Sequence, residues 1–233
     1  MRGRAVSRRR LLGLAVPLSA GLAVWNNLVV HRLPYVAANA TATAAVLGAA
    51  RWAGLSREEL GLARRSLPAG LRWGGACAVP VATGYAVALA VPALRPLLLD
   101  GRVAGRGGAD LAHQALVRIP VGTVLWEEVA FRGVLLAVLR RLVPPPAAVG
   151  ASAVLFGVWH VRPTLEGLAA NDLDRGPVAT GAAVVLGCAG TGAAGVLFAA
   201  LRLRSGSLLA PALLHLATNS FGVGAAATAT RLT

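Results

Sequence analysis

The sequence predicts an all-α protein, a polytopic bundle of about seven transmembrane helices. Hydrophobic residues make up 56% of the 233-residue chain, 14% of the residues are charged, and the mean hydropathy is +0.66, which is typical of a membrane protein. The apolar residues form runs long enough to cross a hydrocarbon core of about 30 Å, which takes roughly 20 helical residues. These runs lack the alternating polarity of membrane strands, and open backbone is not tolerated in lipid, so each run is expected to be a helix.

The predicted spans cover residues 11–30, 35–50, 73–99, 119–139, 146–161, 178–201 and 206–228. Between the second and third spans, leucines alternate with charged residues over 55–67, which predicts a short amphipathic helix at the membrane surface. Asp110 is the predicted N-cap ahead of the fourth span. The segment 161–177, after the fifth span, is predicted to be a loop.

The chain divides into two predicted parts. Residues 1–118 supply N-terminal membrane helices with an interfacial segment, and residues 119–228 form the helical core that carries the candidate site. The first span follows Arg8 and Arg9, a pair that resembles a twin-arginine export signal. Because the apolar run continues to Val30 without a convincing cleavage site, a retained membrane helix is favoured over a cleaved signal.

All 23 basic residues are arginines, and their excess over the 9 acids gives a formal net charge of +14. Such a charge could indicate nucleic-acid binding, but the arginines fall between apolar runs, so we attribute it to membrane topology and expect no nucleic-acid partner. A cytoplasmic N-terminus places about twice as many arginines on the inner segments as on the outer ones. The sequence therefore predicts a multi-pass protein of the cell membrane with its N-terminus in the cytoplasm.

Two glutamates and an arginine lie inside the fourth span, in the stretch TVLWEEVAFRGVLLAVL. An acid at the bilayer centre costs on the order of 3 kcal/mol, so both acids should face protein or water. Glu128 and Arg132 are spaced i,i+4 with the acid first, which favours an ion pair. Neighbours on an α-helix point about 100° apart, so Glu127 is expected in a different environment, free for another partner. The alternative is a buried ion pair that serves only packing.

Two histidines within predicted spans are the candidate partners of Glu127. His160 follows Phe156 by one helical turn, and His215 precedes Asn219 by one turn, so each pair lies on one face of its helix. A single intramembrane histidine is as often a hydrogen-bonded core residue as a functional one. A glutamate, two histidines and an asparagine on three separate helices indicate a site.

These residues carry a resemblance to a known family. EEVAFR at 127–132, FGVWH at 156–160 and HLATN at 215–219 resemble the EExxxR, FxxxH and HxxxN motifs of the CPBP family of intramembrane proteases. That family includes the type II CAAX prenyl endopeptidases and the Abi, or bacteriocin-immunity, proteins. The resemblance covers roughly residues 119–222, with the three motifs in the family's order.

The resemblance implies an intramembrane endopeptidase that acts on a prenylated (CAAX-type) or other membrane-associated peptide. The residues implied for catalysis are Glu127, His160, His215 and Asn219, and those implied to support the site are Glu128, Arg132 and Phe156. Glu127 would activate a water with the help of His160. His215 and Asn219 would polarise the scissile carbonyl and stabilise the oxyanion.

Two questions stay open at this stage. Glu127, His160 and His215 also form a donor set suited to zinc or another divalent metal, with a position left for water, although the metal-free glutamate mechanism is favoured. The function itself has alternatives, namely a non-catalytic immunity or scaffold protein, or a proton-coupled transporter in which the same acids and histidines relay protons. The sequence shows neither an inverted repeat nor a broken helix pair of the kind that transporters use.

Overall fold

The computed structural model describes residues 8–173 and 175–233, and within these ranges the chain is helical without any β-strand. This confirms the predicted all-α membrane bundle. Residues 1–7, which include two of the arginines assigned to the cytoplasmic side, lie outside the described residues.

The N-terminal half contains α1 (Arg8–Val24), α2 (Tyr35–Trp52), α3 (Arg57–Leu60) and α4 (Leu67–Ala90). After α1 the chain continues through a π-helical turn, Trp25–Val29, and a 3₁₀ turn, Val30–Arg32. Within 55–67, where a short amphipathic helix is predicted, α-helix ahead of α4 is limited to the four residues of α3, which begins with a capping box between Ser56 and Glu59.

The predicted third span is too long at its C-terminal end. The α4 helix ends at Ala90, because Val91 adopts an extended conformation before Pro92, and the residue before a proline disfavours the helical region. Residues Pro92–Leu98 form 3₁₀ turns instead of continuing the span.

One continuous helix, residues 108–142, runs through the middle of the bundle, and we call it the site helix. It consists of α5 (Gly108–His113), two stretches of wide π-type turns (Gln114–Leu125 and Glu128–Leu135) and α6 (Leu136–Leu142). The predicted N-cap, Asp110, is wrong, since the cap is Gly107 and Asp110 lies in the first turn. A carboxylate in the first turn is favoured by the helix dipole without serving as the cap. Position 118, the predicted end of the first part of the chain, lies inside this helix.

The remaining helices are α7 (Pro145–Trp159), α8 (Val161–Ala170), α9 (Pro177–Ser205) and α10 (Leu209–Leu232). The predicted loop after the fifth span is wrong over α8. A proline in the first turn of a helix loses no hydrogen bond, and Pro163 occupies that position. Arg162 and Glu166, 2.6 Å apart and one turn from each other, add an ion pair on the helix surface.

Within residues 8–173 and 175–233, three helical stretches are long and apolar enough to cross a membrane by length and composition, namely Arg8–Arg32, Arg57–Ala90 and Pro177–Ser205. The other predicted spans fall on α2, the site helix, α7 and α10, and the total of seven stays a prediction. Most side chains of the site helix from Trp126 to Val138 are buried, since α1, α2, α7, α9 and α10 surround it. The chain therefore places both glutamates in its core.

Candidate active site

The site helix is unusual at the point where it carries the acids. Pro120 has no backbone N–H, so it cannot close an ordinary α-helical turn, and the surrounding turns are of the wide π type. A second π-type stretch begins at Glu128. Wide turns contain more residues, so successive side chains diverge less in direction than they do on an α-helix.

Glu128 is the centre of a buried charged group. Its side chain is 2% exposed, and its Oε1 accepts a hydrogen bond from the Arg132 guanidinium at 3.2 Å. The ion pair predicted from the i,i+4 spacing is therefore present. The same oxygen lies 2.9 Å from Nδ1 of His215, which is 5% exposed on α10. Because a carboxylate accepts only, this geometry places a proton on Nδ1 of His215.

The Arg132 guanidinium is enclosed by aromatic rings. Its central carbon lies 3.9 Å from the ring centre of Phe156 and 4.8 Å from that of Phe198. A cation over an aromatic face is attracted by the ring quadrupole, and the attraction is stronger when water is excluded. Phe156, predicted to support the site, thus stabilises the charge that neutralises Glu128.

Glu127 is also buried, with 3% of its surface exposed. Its Oε1 accepts a hydrogen bond of 2.9 Å from the indole Nε1 of Trp159. Its Oε2 has no hydrogen-bond partner in the described part of the chain and lies 3.8 Å from Nε2 of His215. As expected, the two glutamates have different hydrogen-bond partners, Trp159 and Arg132, but their environments are not separate, since both acids reach the His215 ring. The wide turns reduce the angle between them, and the ring offers a separate nitrogen to each.

His160 lies between two helices. It is the C-cap of α7 and the N-cap of α8. Its Nδ1 lies 2.7 Å from the carbonyl oxygen of Phe156, so that nitrogen must be the protonated one. Its ring packs edge-on against the Phe156 ring, with ring centres 4.6 Å apart. Among the described residues, Phe156 and not Glu127 is its polar partner, which leaves Nε2 as a free acceptor.

Asn219 lies on α10 one turn beyond His215 and is half-buried. Its Oδ1 has a long contact of 3.5 Å with the hydroxyl of Thr218. The structure therefore brings Glu127, Glu128, Arg132 and His215 into direct contact, and it joins His160 to them through the Phe156 ring. Asn219 lies on the same face of α10 as His215, and among the described residues it has no direct bond to the rest of the group.

The predicted metal donors, Glu127, His160 and His215, are not grouped around one point in this arrangement. Within residues 8–173 and 175–233, no three histidine, cysteine, aspartate or glutamate side chains are grouped as the ligands of one ion. Glu127 Oε2 and His215 Nε2 face each other at 3.8 Å, but His160 contacts neither of them directly among the described residues. We derive no step through a metal.

Trp159 is the site residue that the sequence interpretation missed. It is fully buried and packs against Phe131 and Trp126, with ring centres 5.5 and 6.2 Å away. A buried indole N–H normally has a partner, and a tryptophan beside His160 in a span that carries few other polar groups was the available signal.

Residues 111–221 match the family model described as Rce1-like, type II CAAX prenyl endopeptidase Rce1-like. The matched segment begins in α5 and ends in α10, so it contains every site residue predicted from the three motifs. No curated protein and no solved structure matches the chain.

Proposed function

We propose that this chain, which belongs over residues 111–221 to the Rce1-like family of type II CAAX prenyl endopeptidases, is an intramembrane endopeptidase in which Glu127 activates a water. The observation that carries the proposal is the state of the Glu127 carboxylate. One oxygen is held by Trp159, and the other is buried, unpartnered and directed at His215. A carboxylate fixed in this way is prepared to accept a proton from a bound water.

The separation of Glu127 and His215 suits attack on a peptide bond. Their facing atoms are 3.8 Å apart, too far for a direct hydrogen bond but close enough for reacting groups bound to each of them to meet. A water on Glu127 Oε2 and a carbonyl oxygen on His215 Nε2 would bring nucleophile and carbonyl carbon within the roughly 3–3.5 Å from which reaction proceeds.

Glu128 would make His215 a better hydrogen-bond donor. Its carboxylate accepts from Nδ1 and fixes the ring, and with a proton on both ring nitrogens Nε2–H would donate to the substrate carbonyl. Asn219, one turn further along α10, would supply a second donor to the oxyanion through its amide. His160, with a free acceptor at Nε2, would orient the attacking water from the other side.

The proton balance closes within these residues. Water loses a proton to Glu127 as its oxygen bonds to the carbonyl carbon, and the negative charge that develops on the carbonyl oxygen is bound by His215 and Asn219. When the carbon–nitrogen bond breaks, Glu127 returns the proton to the leaving amine. The products are a carboxylic acid and an amine, and Glu127 is again a carboxylate.

The substrate that we propose is a membrane-associated peptide, prenylated or plain. We further propose that the protein crosses the cell membrane several times with its N-terminus in the cytoplasm, which the arginine distribution supports. With seven spans, a cytoplasmic N-terminus places Thr233 on the outer side. Labelling of a cysteine introduced at Thr233 by a membrane-impermeant reagent in intact cells would support this orientation, whereas labelling only after lysis would contradict it.

The function is tested with purified protein in detergent and quenched peptides, prenylated and plain. Wild type should cleave, and Glu127→Gln, which keeps the shape but cannot take a proton, should lower kcat by about a thousandfold or more. Glu166→Gln, a change of an exposed acid on α8, is the matched control and should cleave as wild type does. Activity should survive chelation. Equal cleavage by wild type and Glu127→Gln would overturn the proposal.

A further inference from the structure

The break between α7 and α8 leaves backbone groups without helical partners. The last carbonyls of one helix and the first amides of the next have no partner within their own helix. His160 adopts φ −93 and ψ 8 at this point and so interrupts the regular pattern. Where protein or lipid excludes water, such groups need partners from elsewhere, because an unpaired carbonyl or amide is unfavourable there.

Two adjacent asparagines in the π-helical turn after α1 supply these partners. Asn26 Nδ2 donates to the carbonyl of Trp159 at 3.0 Å, and Asn27 Nδ2 donates to the carbonyl of Val158 at 2.9 Å. Asn27 Oδ1 accepts from the backbone N–H of Arg162, also at 2.9 Å. The two side chains therefore cap the end of α7 and the start of α8 at once, from a different helix.

These contacts involve residues on both sides of His160 along the chain. Val158 and Trp159 lie directly before it and Arg162 lies two residues after it, so the backbone on both sides of the histidine is tied to the same turn of chain. The π-type turn explains how neighbouring residues can do this, since it directs Asn26 and Asn27 to the same side. Asn26 is buried, 8% exposed, although it belongs to an apolar span.

We propose that Asn26 and Asn27 are positioning residues that hold His160, and with it Trp159, in the orientation required at Glu127. This rests on the proposed function. It assigns part of the active-site framework to the π-helical turn after α1, outside the segment 111–221 that matches the family model.

The position of His160 is tested without any activity assay, by its rate of modification with diethyl pyrocarbonate, read by mass spectrometry. The reagent attacks an unprotonated ring nitrogen, which His160 offers at Nε2. Asn27→Ala should change the rate at His160 by about threefold or more, because the break is then free to open locally. The rate at His113, an exposed histidine on α5, should not change.

Two further variants separate the contacts. Asn27→Asp keeps the acceptor for the Arg162 amide and loses the donor to Val158, so hydrogen exchange at Arg162 should stay slow, whereas Asn27→Ala should speed it by about tenfold. Asn26→Leu has a similar shape and loses only the donor to Trp159. If Asn27→Ala folds poorly, Asn27→Asp and Asn26→Leu provide the same comparison.

The kinetic test uses the cleaved peptide of the proposed function. Asn27→Ala should lower kcat by about tenfold with KM nearly unchanged, since it disturbs a group used in the reaction and leaves substrate binding intact. Asn27→Asp should recover part of the loss. Asn171→Ala is the control. It removes a side-chain oxygen that accepts from the backbone N–H of Gly101, away from the site, and it should keep the wild-type kcat.

The outcomes are distinguishable from those of the proposed function. A changed His160 rate together with a lowered kcat supports the positioning role, and an unchanged His160 rate in all three variants overturns it. A changed rate with wild-type kcat also overturns it, because the asparagines would then be purely structural. If the wild type cleaves nothing, the proposed function fails, and the modification and exchange rates alone decide whether the asparagines set the position of His160.

Discussion

His215 joins the two glutamates of the site helix, with Nδ1 2.9 Å from Glu128 Oε1 and Nε2 3.8 Å from Glu127 Oε2. One imidazole thus contacts a carboxylate that is neutralised by Arg132 and faces another that is not. The two acids have different partners although they are adjacent in sequence. Their roles can therefore be separated by substitution.

Glu128→Leu should destabilise the protein more than any change at Glu127. It leaves the Arg132 charge, 1% exposed, without its counter-ion, and removing one partner of a buried pair costs about 3–5 kcal/mol. The double variant Glu128→Leu with Arg132→Met removes both charges and should recover part of the loss. Unfolding in detergent measures the free energies. A double variant as unstable as the sum of the single variants would contradict this account.

Trp159→Phe should lower activity more than its effect on folding would suggest. The change keeps an aromatic ring in the core but removes the Nε1–H that donates to Glu127 at 2.9 Å. A hydrogen bond to a charged group contributes about 1.5–3 kcal/mol, so kcat should fall at least about tenfold. Trp52→Phe, at a tryptophan 66% exposed, is the matched control. Equal kcat values for the two variants would show that the indole N–H has no catalytic importance.

Gly157→Ala should destabilise the packing of α7 on α9. A Cβ at this position would lie 2.5 Å from the carbonyl oxygen of Cys188, and backbone cannot move as a flexible side chain does. We expect a loss of about 1–3 kcal/mol, seen as a lower thermal midpoint. Gly150→Ala on the same helix meets no atom within 4 Å and should be neutral or slightly stabilising. The reverse order of the two variants would contradict the helix packing described above.

Asp100 should make the loop before the site helix sensitive to acid. Hydrogen bonds from Arg102 lower the pKa of Asp100 below its ordinary value of 3.8, although burial opposes them. The folded state therefore favours the carboxylate, and its stabilisation is complete above the ordinary pKa and lost as the pH falls through the lower folded value. The pair is partly exposed, so we expect about 1 kcal/mol at most.

Asp100→Asn is the variant that reveals this contribution. Its thermal midpoint should be lower than that of wild type at neutral pH, and the two should converge as the pH falls below about 4. Asp110→Asn, at an exposed acid on α5 without an ion pair in the described part of the chain, should keep the wild-type profile. A constant difference between wild type and Asp100→Asn at every pH would exclude the carboxylate as its source.

The features of the fold that follow from composition and spacing could be predicted. Long apolar runs form helices in lipid, and the all-α fold was confirmed. An acid four residues before an arginine lies on the same helix face as the arginine, and the Glu128–Arg132 ion pair was confirmed. The helix 161–170 was missed because its short amphipathic pattern carries a proline in the first turn and resembles a loop. The early end of α4 depends on Val91 and Pro92, a local signal weaker than the surrounding hydropathy.

The environment of the acids could not be predicted from helical geometry, because the argument assumed ordinary α-helical turns. Pro120 was visible in the sequence, but its effect on the turns around it depends on how the neighbouring helices compensate for the missing N–H. The contact between Trp159 and Glu127 joins residues on different helices. Such a contact depends on packing, which periodicity along one helix does not describe.

Arg118 and Arg140, both exposed, lie on either side of the glutamates in the site helix. They are separated by on the order of 30 Å of helix, which matches the thickness of the hydrocarbon core. With these arginines at the two membrane surfaces, we expect Glu127 close to mid-depth, on the order of 15 Å from either surface. An extended peptide covers about 3.3 Å per residue, so about five substrate residues would separate the membrane surface from the bond cut. Under the proposed function the enzyme therefore selects the bond by its distance from the membrane surface. Adding residues to the substrate segment between the surface and the bond would shift the cut by the same number of residues, whatever their identity.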